Sequence, residues 1–497
     1  MSARHRDTAL LLALAALKLG VHVLTNGQYG FHRDELATIA DARHLAWGYV
    51  AYPPLTPFLG RISLELFGAS LAGARLFPAL AMSLSVLVSG LIARELGGGR
   101  AAQLTAALAV AIGPVVLGAS ALLQYVAFDY LWWVLVAYLL IRLANSGDRR
   151  YWLAIGVVLG IAVETKYTIG LCAAGIVLGV LVARRADLRS PWLWAGTALA
   201  LLLLVPNLAW QARNDFVSVS FLRSIHERDV RIGRTADFLS DQLVVAANPV
   251  TIPLWIAGLG WLFLSRGRRQ PMLATMLAAS FVLLWLLKGR GYYAAPLYPP
   301  LLAAGAVAVE DWIGRLSASM RRLVRSTEWL LFAVGAGVSV IALPIAPLGS
   351  SLWRFACAQN QDLAEEVGWP ELVRTVAGVY AALPAAERSR ARILTGNYGE
   401  AGAIDLYGPE LGLPPAISGV NSYWARGYGE PPPETVIVLG IGREALDRRF
   451  ASCVWAARVP NPLEVRNEES EDHPDVFVCR ELRTSWPEFW RDFRHFG

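Results

Sequence analysis

The chain has 497 residues, of which 55% are hydrophobic and only 17% charged, with a mean hydropathy of +0.43 and a formal charge of +6. That balance excludes an ordinary soluble globular protein and a disordered one, and it fits a polytopic membrane protein. The positive surplus lies in the first 349 residues (30 basic, 18 acidic), whereas residues 350–497 hold 15 arginines against 21 acids, so the basic pI does not mark a nucleic-acid-binding surface.

In chain order, residues 1–7 are basic, but the apolar run after them continues for a full span without a small-residue cleavage site. Crossing the hydrocarbon core takes about 20 residues. Eleven apolar runs qualify, at 8–26, 74–94, 101–119, 122–143, 151–165, 167–184, 191–210, 250–265, 271–288, 293–314 and 328–348. The fifth and sixth are short and can also be read as one long span. Alternate loops carry Arg4 and Arg6; Arg94 and Arg100; Arg142, Arg149 and Arg150; Arg184, Arg185 and Arg189; Arg266, Arg268 and Arg269; and Arg315, Arg321, Arg322 and Arg325. Six loops in succession thus follow the positive-inside bias. The amino terminus is then cytoplasmic in an inner (cytoplasmic) membrane. The loop 27–73, the loop 211–248 and residues 350–497 fall on the periplasmic or extracellular side.

The first exterior loop is the most informative stretch. Between residues 29 and 61 it reads YGFHRDELATIADARHLAWGYVAYPPLTPFLGR, with Arg33, Asp34 and Glu35 side by side at the mouth of a span. Charge pressed against a membrane is costly unless it lines a watery cavity or acts on something. The bland alternative is a helix end at headgroup level. His32, Arg43, Arg61, Trp47, Tyr49 and Tyr52, packed into the same loop, favour a functional site. Asp129, just inside the exterior end of the fourth run, is a second acid at that level and needs a partner or a cation.

The chain has three lysines against 42 arginines, and two of the three, Lys166 and Lys288, fall at exterior ends of spans, in Glu164-Thr165-Lys166-Tyr167 and Lys288-Gly289-Arg290-Gly291-Tyr292-Tyr293. Each alone can snorkel to lipid phosphates. Together with Arg33, Arg43 and Arg61 at one membrane level they point to an anion site, most simply a lipid phosphate or pyrophosphate.

Past residue 350, charge density rises, Pro and Gly punctuate the chain, and short strand-like runs (392–395, 435–439, 476–479) alternate with helical ones (362–383, 443–450). The fold expected is an all-α polytopic membrane domain of about eleven transmembrane helices over 1–349, followed by a small α/β soluble exterior domain over 350–497. Leu439-Gly440-Ile441-Gly442 lacks the third glycine of a nucleotide-binding turn and reads as a tight strand-to-helix turn. Cys453 and Cys479 lie where a disulfide persists, Cys357 is a weaker partner, and Cys172 falls in a span.

One span, an exterior loop with an Asp-Glu pair, a Pro53-Pro54-Leu55 element and a soluble exterior tail together resemble the GT-C membrane glycosyltransferases. The similarity is to the branch holding the protein O-mannosyltransferases and the bacterial aminoarabinose transferase. It covers residues 29–310 and is strongest in HRDELATIADARHLAWGYVAYPPL and KGRGYYAAPLYPPLLAAGA. The resemblance implies a sugar donor on a polyprenyl phosphate and a first-loop acid as catalytic base. Asp34 matches that base, Glu35 its neighbour and Asp129 the second acidic position. The aminoarabinose enzyme has a lysine just before Pro-Pro-Leu; here that place is Tyr52, so phosphate contact passes to Lys288, Arg290 or Lys166, with Tyr292 or Tyr293 beside them.

The chemistry agrees with that reading. A carboxylate takes the acceptor proton as a hydroxyl attacks the anomeric carbon, cations neutralise the departing phosphate, and the configuration inverts. A divalent cation at Asp34, Glu35 or Asp129 is a further option. The acceptor is a glycan, lipid or protein. The competing class is a transporter or flippase of polyprenyl lipids, but the internal repeat that often marks such folds is not visible.

Overall fold

The computed structural model describes residues 3–264 and 270–497. Arg266, Arg268 and Arg269 lie outside the described residues. Leaving four-residue turns aside, the membrane part runs α1 (Ala3–Thr25), α2 (Arg33–Arg43), α3 (Leu55–Phe67), α4 (Leu76–Glu95), α5 (Arg100–Ala111), α6 (Pro114–Ala119), α7 (Tyr125–Ser146), α8 (Tyr151–Val163), α9 (Ile169–Ala183), α10 (Pro191–Arg213), α11 (Val217–Arg231), α12 (Phe238–Val244), α13 (Ile252–Leu264), α14 (Pro271–Leu286), α15 (Tyr298–Gly314) and α16 (Ala318–Ser339). Among the described residues, five helical stretches are long and apolar enough to cross a membrane: those of α1, α4, α7, α10 and α16. A sixth is possible if α12 and α13, bent by 88°, count as one, and α8, α9 and α14 are shorter apolar helices. The protein is a multi-pass membrane protein.

Most of each expected run coincides with helix, although 293–297 form a 3-10 turn and 343–348 lie past the last membrane helix. The run 101–119 breaks between α5 and α6, where Asn248 donates to Ile112 O at 3.1 Å, Gly335 O at 3.1 Å and Ser339 Oγ at 2.7 Å. An irregular backbone at membrane depth survives only when its polar groups are satisfied in this way. The fifth and sixth runs are two helices, and the break between them carries Lys166. The last helix starts at Ala318, so Arg321, Arg322 and Arg325 are helical rather than in a loop. The loop 211–248 also holds helices of its own, α11 and α12.

Small residues let these helices approach closely, since in lipid, packing and not hydrophobicity drives helix association. A Cβ at Gly156 would strike the Gly196 backbone where α8 meets α10, and one at Gly258 would strike Leu301 where α13 meets α15.

The C-terminal part adds α17 (Ser351–Gln359), α18 (Trp369–Ala382), β1 (Ala391–Thr395), α19 (Tyr398–Tyr407), β2 (Ala416–Ser418), β3 (Thr435–Leu439), α20 (Arg443–Arg449), β4 (Phe450–Arg458), β5 (Asp475–Leu482) and α21 (Trp486–Asp492). The strands form one mixed sheet in the order β2-β1-β3-β5-β4, with β1 parallel to β2 and β3, and β5 antiparallel to β3 and β4. Cys453 and Cys479 face each other across β4 and β5 and form a disulfide, while Cys357 and Cys172 are free. Gly440, at φ 71°, makes the strand-to-helix turn expected there.

The sheet does not stand apart from the first loop. Phe31, Leu36, Ile39 and Leu123 share one buried core with Trp369, Val373, Ile393, Ile404 and Leu439. The membrane helices keep a separate core around α4, α5, α7 and α15.

Candidate active site

The N-terminus of α2 builds the centre of the site. His32 is its cap: the ring Nδ1 accepts from Asp34 N at 3.1 Å, and Glu35 reaches back to accept from His32 N at 2.9 Å. This reciprocal cap satisfies two orphan backbone donors and holds two acids in the first turn, where the helix dipole favours negative charge.

The two adjacent acids then part. Glu35 is wholly buried against Arg75, whose Nη2 lies 2.7 Å and Nε 3.0 Å from its oxygens. It also accepts from Leu123 N at 2.8 Å. Arg75, itself buried, spends its remaining donors on Asn26 O, Gly30 O and Glu366. Glu35 therefore ties α2 to α4 and to the turn before α7, with both oxygens occupied. Asp34 is half-buried. Its Oδ2 accepts from Gln124 Nε2 at 2.6 Å and its Oδ1 from the Tyr398 hydroxyl at 2.8 Å, so it is held by two neutral donors.

Lys166 sits in the break between α8 and α9, which is fastened to the first loop by Leu55 N donating to Glu164 O at 2.9 Å. Its ammonium is 3.9 Å from Asp129 Oδ2 and lies against three tyrosine rings, at 3.9 Å from the centroid of Tyr293, 5.0 Å from Tyr125 and 5.6 Å from Tyr292. Asp129 also accepts from Trp133 Nε1 at 3.1 Å. Tyr125 follows Gln124, which holds Asp34, and its ring is 6.1 Å from that of Tyr52. It links the segment that holds the carboxylate to the lysine. Arg290 donates to Asp229 Oδ2 of α11 at 2.6 Å.

The other expected cations have different surroundings. Arg33 pairs with Glu468 at 2.5 Å and lies over the Tyr398 ring, Arg43 donates to the Asp405 carbonyl at 2.7 Å, and Arg61 pairs with Glu65 on its own helix at 2.5 Å. Lys288 is exposed just past the end of α14. Tyr52 donates to Asp41 Oδ2 at 2.7 Å, and Arg426 donates to Oδ1 at 2.6 Å. Burial pushes the Asp41 carboxyl above its usual range, against the pull of Arg426.

Of the candidate metal ligands Asp34, Glu35 and Asp129, Glu35 has both oxygens taken up by Arg75, Leu123 N and His32 N. Among the described residues no three His, Cys, Asp or Glu side chains converge.

Sequence reasoning missed Arg75, Asp41, Gln124, Tyr125, Tyr398 and Arg426 as parts of this arrangement. A signal existed for two of them. Arg75 is a cation at the edge of an apolar run, the same feature that singled out the lysines. Tyr398 opens a helix whose capping box, Asn397 with Glu400, is written in the sequence.

Residues 51–210 match the family model of the dolichyl-phosphate-mannose-protein mannosyltransferases. That stretch, about a third of the chain, is similar to a glycosyltransferase family. No curated protein matches the sequence. Among solved structures, the chain is similar to ArnT from Cupriavidus metallidurans bound to undecaprenyl phosphate, at 18% identity and a TM-score of 0.58, over 95% of this chain and 97% of that one. The apo state of the same protein gives 17% and 0.57, over 96% and 98%. The mycobacterial arabinofuranosyltransferase AftD (mutant R1389S) gives 15% and 0.53, over 97% of this chain but 42% of that one. The fold is thus the ArnT-like GT-C fold, a membrane helical domain with a C-terminal mixed sheet.

Proposed function

We propose that this glycosyltransferase moves a monosaccharide from a polyprenyl-phosphate donor to an acceptor on the exterior face of the membrane, with inversion at the anomeric carbon. The observation that carries the reading is a carboxylate free of any ion pair, Asp34, held by Gln124 next to Tyr125, whose ring lies 5.0 Å from Lys166, a lysine whose acid partner, Asp129, is 3.9 Å away. The solved relative with undecaprenyl phosphate bound supports the lipid.

Asp34 accepts the proton of the acceptor group as it attacks the anomeric carbon. The C–O bond to phosphate breaks on the opposite face, and Lys166 neutralises the charge that builds on the departing oxygen. A phosphate is already a good leaving group, so no acid is needed to protonate it. Tyr292, Tyr293 and Tyr125 screen the ammonium from water and supply hydroxyl donors beside it. Arg290, tied to Asp229 at 2.6 Å, flanks the site from the rim. Asp129 orients Lys166, and Glu35 holds the helix that carries Asp34.

The test is the mass of lipid co-purifying with the protein in mild detergent. A polyprenyl phosphate, with or without a sugar, is expected in the parent and reduced in Lys166→Ala. Phospholipid alone in both would overturn the donor assignment. For orientation, a cysteine placed at Gly429 should react with an impermeant reagent in intact cells. Labelling at Ser319 with protection at Gly429 would reverse it.

A further inference from the structure

The C-terminal domain reaches the reaction centre at one atom. Tyr398 donates its hydroxyl proton to Asp34 Oδ1 at 2.8 Å, while Gln124 holds the other oxygen. Its position is fixed from three sides. Asn397 caps α19 by accepting from Glu400 N at 2.9 Å, and Glu400 reaches back to Asn397 N at 3.2 Å. The helix rides directly on α2: a Cβ at Gly402 would meet Leu36 backbone, and one at Gly399 would meet Arg33. The Arg33 guanidinium covers the Tyr398 ring at 5.1 Å and is itself tied to Glu468. The apolar core beneath is continuous between the two parts.

We infer that Tyr398 is a positioning residue for Asp34, so that the C-terminal domain is a working part of the reaction centre. The chemistry explains why a phenol stands there. A base must stay charged and keep a lone pair open toward the acceptor. A guanidinium would fix the carboxylate but take its basicity, as Arg75 does for Glu35. Two neutral donors fix the plane of the carboxylate and leave its charge available. The titratable groups in contact with Asp34 include His32, whose ring accepts from its backbone N–H, and Tyr398 from α19, and Arg33 stands beside it on the same helix. The inference rests on Asp34 being the base.

The test uses the full-length protein in detergent with synthetic undecaprenyl phosphate bearing mannose or aminoarabinose, following release of undecaprenyl phosphate as water takes the place of the acceptor hydroxyl. Tyr398→Phe keeps the ring and removes the donor. It should lower kcat about ten-fold while leaving the donor KM within two-fold and the melting temperature unchanged. Tyr380→Phe removes a hydroxyl that bonds only the Arg388 carbonyl inside the C-terminal domain, and should leave kcat at the parent value. Asn397→Ala loosens the cap of α19 with the phenol intact, and should lower kcat at least three-fold at unchanged donor KM. A kcat within two-fold of the parent in both Tyr398→Phe and Asn397→Ala, with Asp34→Asn inactive, would overturn the inference alone. An active Asp34→Asn would instead remove the base assignment on which it rests.

Discussion

Two short segments, the first turn of α2 and the break between α8 and α9, are linked through Gln124 and Tyr125, and they hold their charges in opposite ways. In and around α2 almost every charge is spent. Glu35 is locked to Arg75, Arg33 to Glu468 and Asp41 to Arg426, each within 2.7 Å. Asp34 is the exception, held by neutral donors. In the break, Lys166 approaches Asp129 only to 3.9 Å and rests on ring faces. Short ion pairs build a platform, and the groups left without one are those with charge to offer a substrate. By this criterion Arg33 and Arg61 are spent in ion pairs, Arg43 is taken up by the Asp405 carbonyl, and Lys166 carries the anion-binding role expected from several cations together.

The largest effect should come from breaking the platform. Glu35→Ala leaves the buried Arg75 with Glu366 alone, at 3.4 Å, and removal of one partner of a buried pair costs about 3–5 kcal/mol. The variant should express poorly and melt far below the parent. A Glu35→Ala protein that melts like the parent but has lost turnover would return Glu35 to the catalytic group.

Next in size is the anion site. A charge-assisted contact to phosphate is worth about 1.5–3 kcal/mol, so Lys166→Ala should raise the donor KM about ten-fold or more. A rise confined to the acceptor KM would move Lys166 to the acceptor side.

A smaller effect should follow pH. Burial, reinforced by Glu469, pushes the Glu365 carboxyl up to about 7. Burial pushes Glu366 up to about 8 despite Arg75, and Glu400 up to about 8 with Glu469 reinforcing it. An acid whose folded pKa exceeds its unfolded value, about 4.3, stabilises the fold below that value and loses the contribution as pH rises through the folded pKa. The melting temperature should therefore fall between pH 5.5 and pH 8.5, the range in which these three groups between α2 and the C-terminal domain ionise. A melting temperature that rises over the same interval would contradict the buried acidic seam.

The smallest effect is expected at Lys288, which is exposed, so Lys288→Ala should change the donor KM by less than two-fold.

Much of this was legible in the sequence. Hydropathy and loop arginines anticipate the helices of the membrane part, because span length is set by bilayer thickness. Asp34 and Lys166 stand out as charges where neither solubility nor orientation requires them. What the sequence did not reveal was which charges are spent, because partners such as Arg75 with Glu35, or Arg426 with Asp41, are brought together only by the packing of distant elements. Tyr398, 364 positions from Asp34, shows the same limit. Its helix has a written cap, yet nothing local says that the helix lies on α2. The break at Lys166 was half-visible, as two short runs that also read as one.

The most direct measurement is turnover of a synthetic undecaprenyl-phosphate sugar by the purified protein and by Asp34→Asn, a nearly isosteric change. Loss of a general base should cut kcat by two orders of magnitude or more while the donor KM and the melting temperature stay at parent values. An Asp34→Asn protein with kcat within a few-fold of the parent would contradict the account.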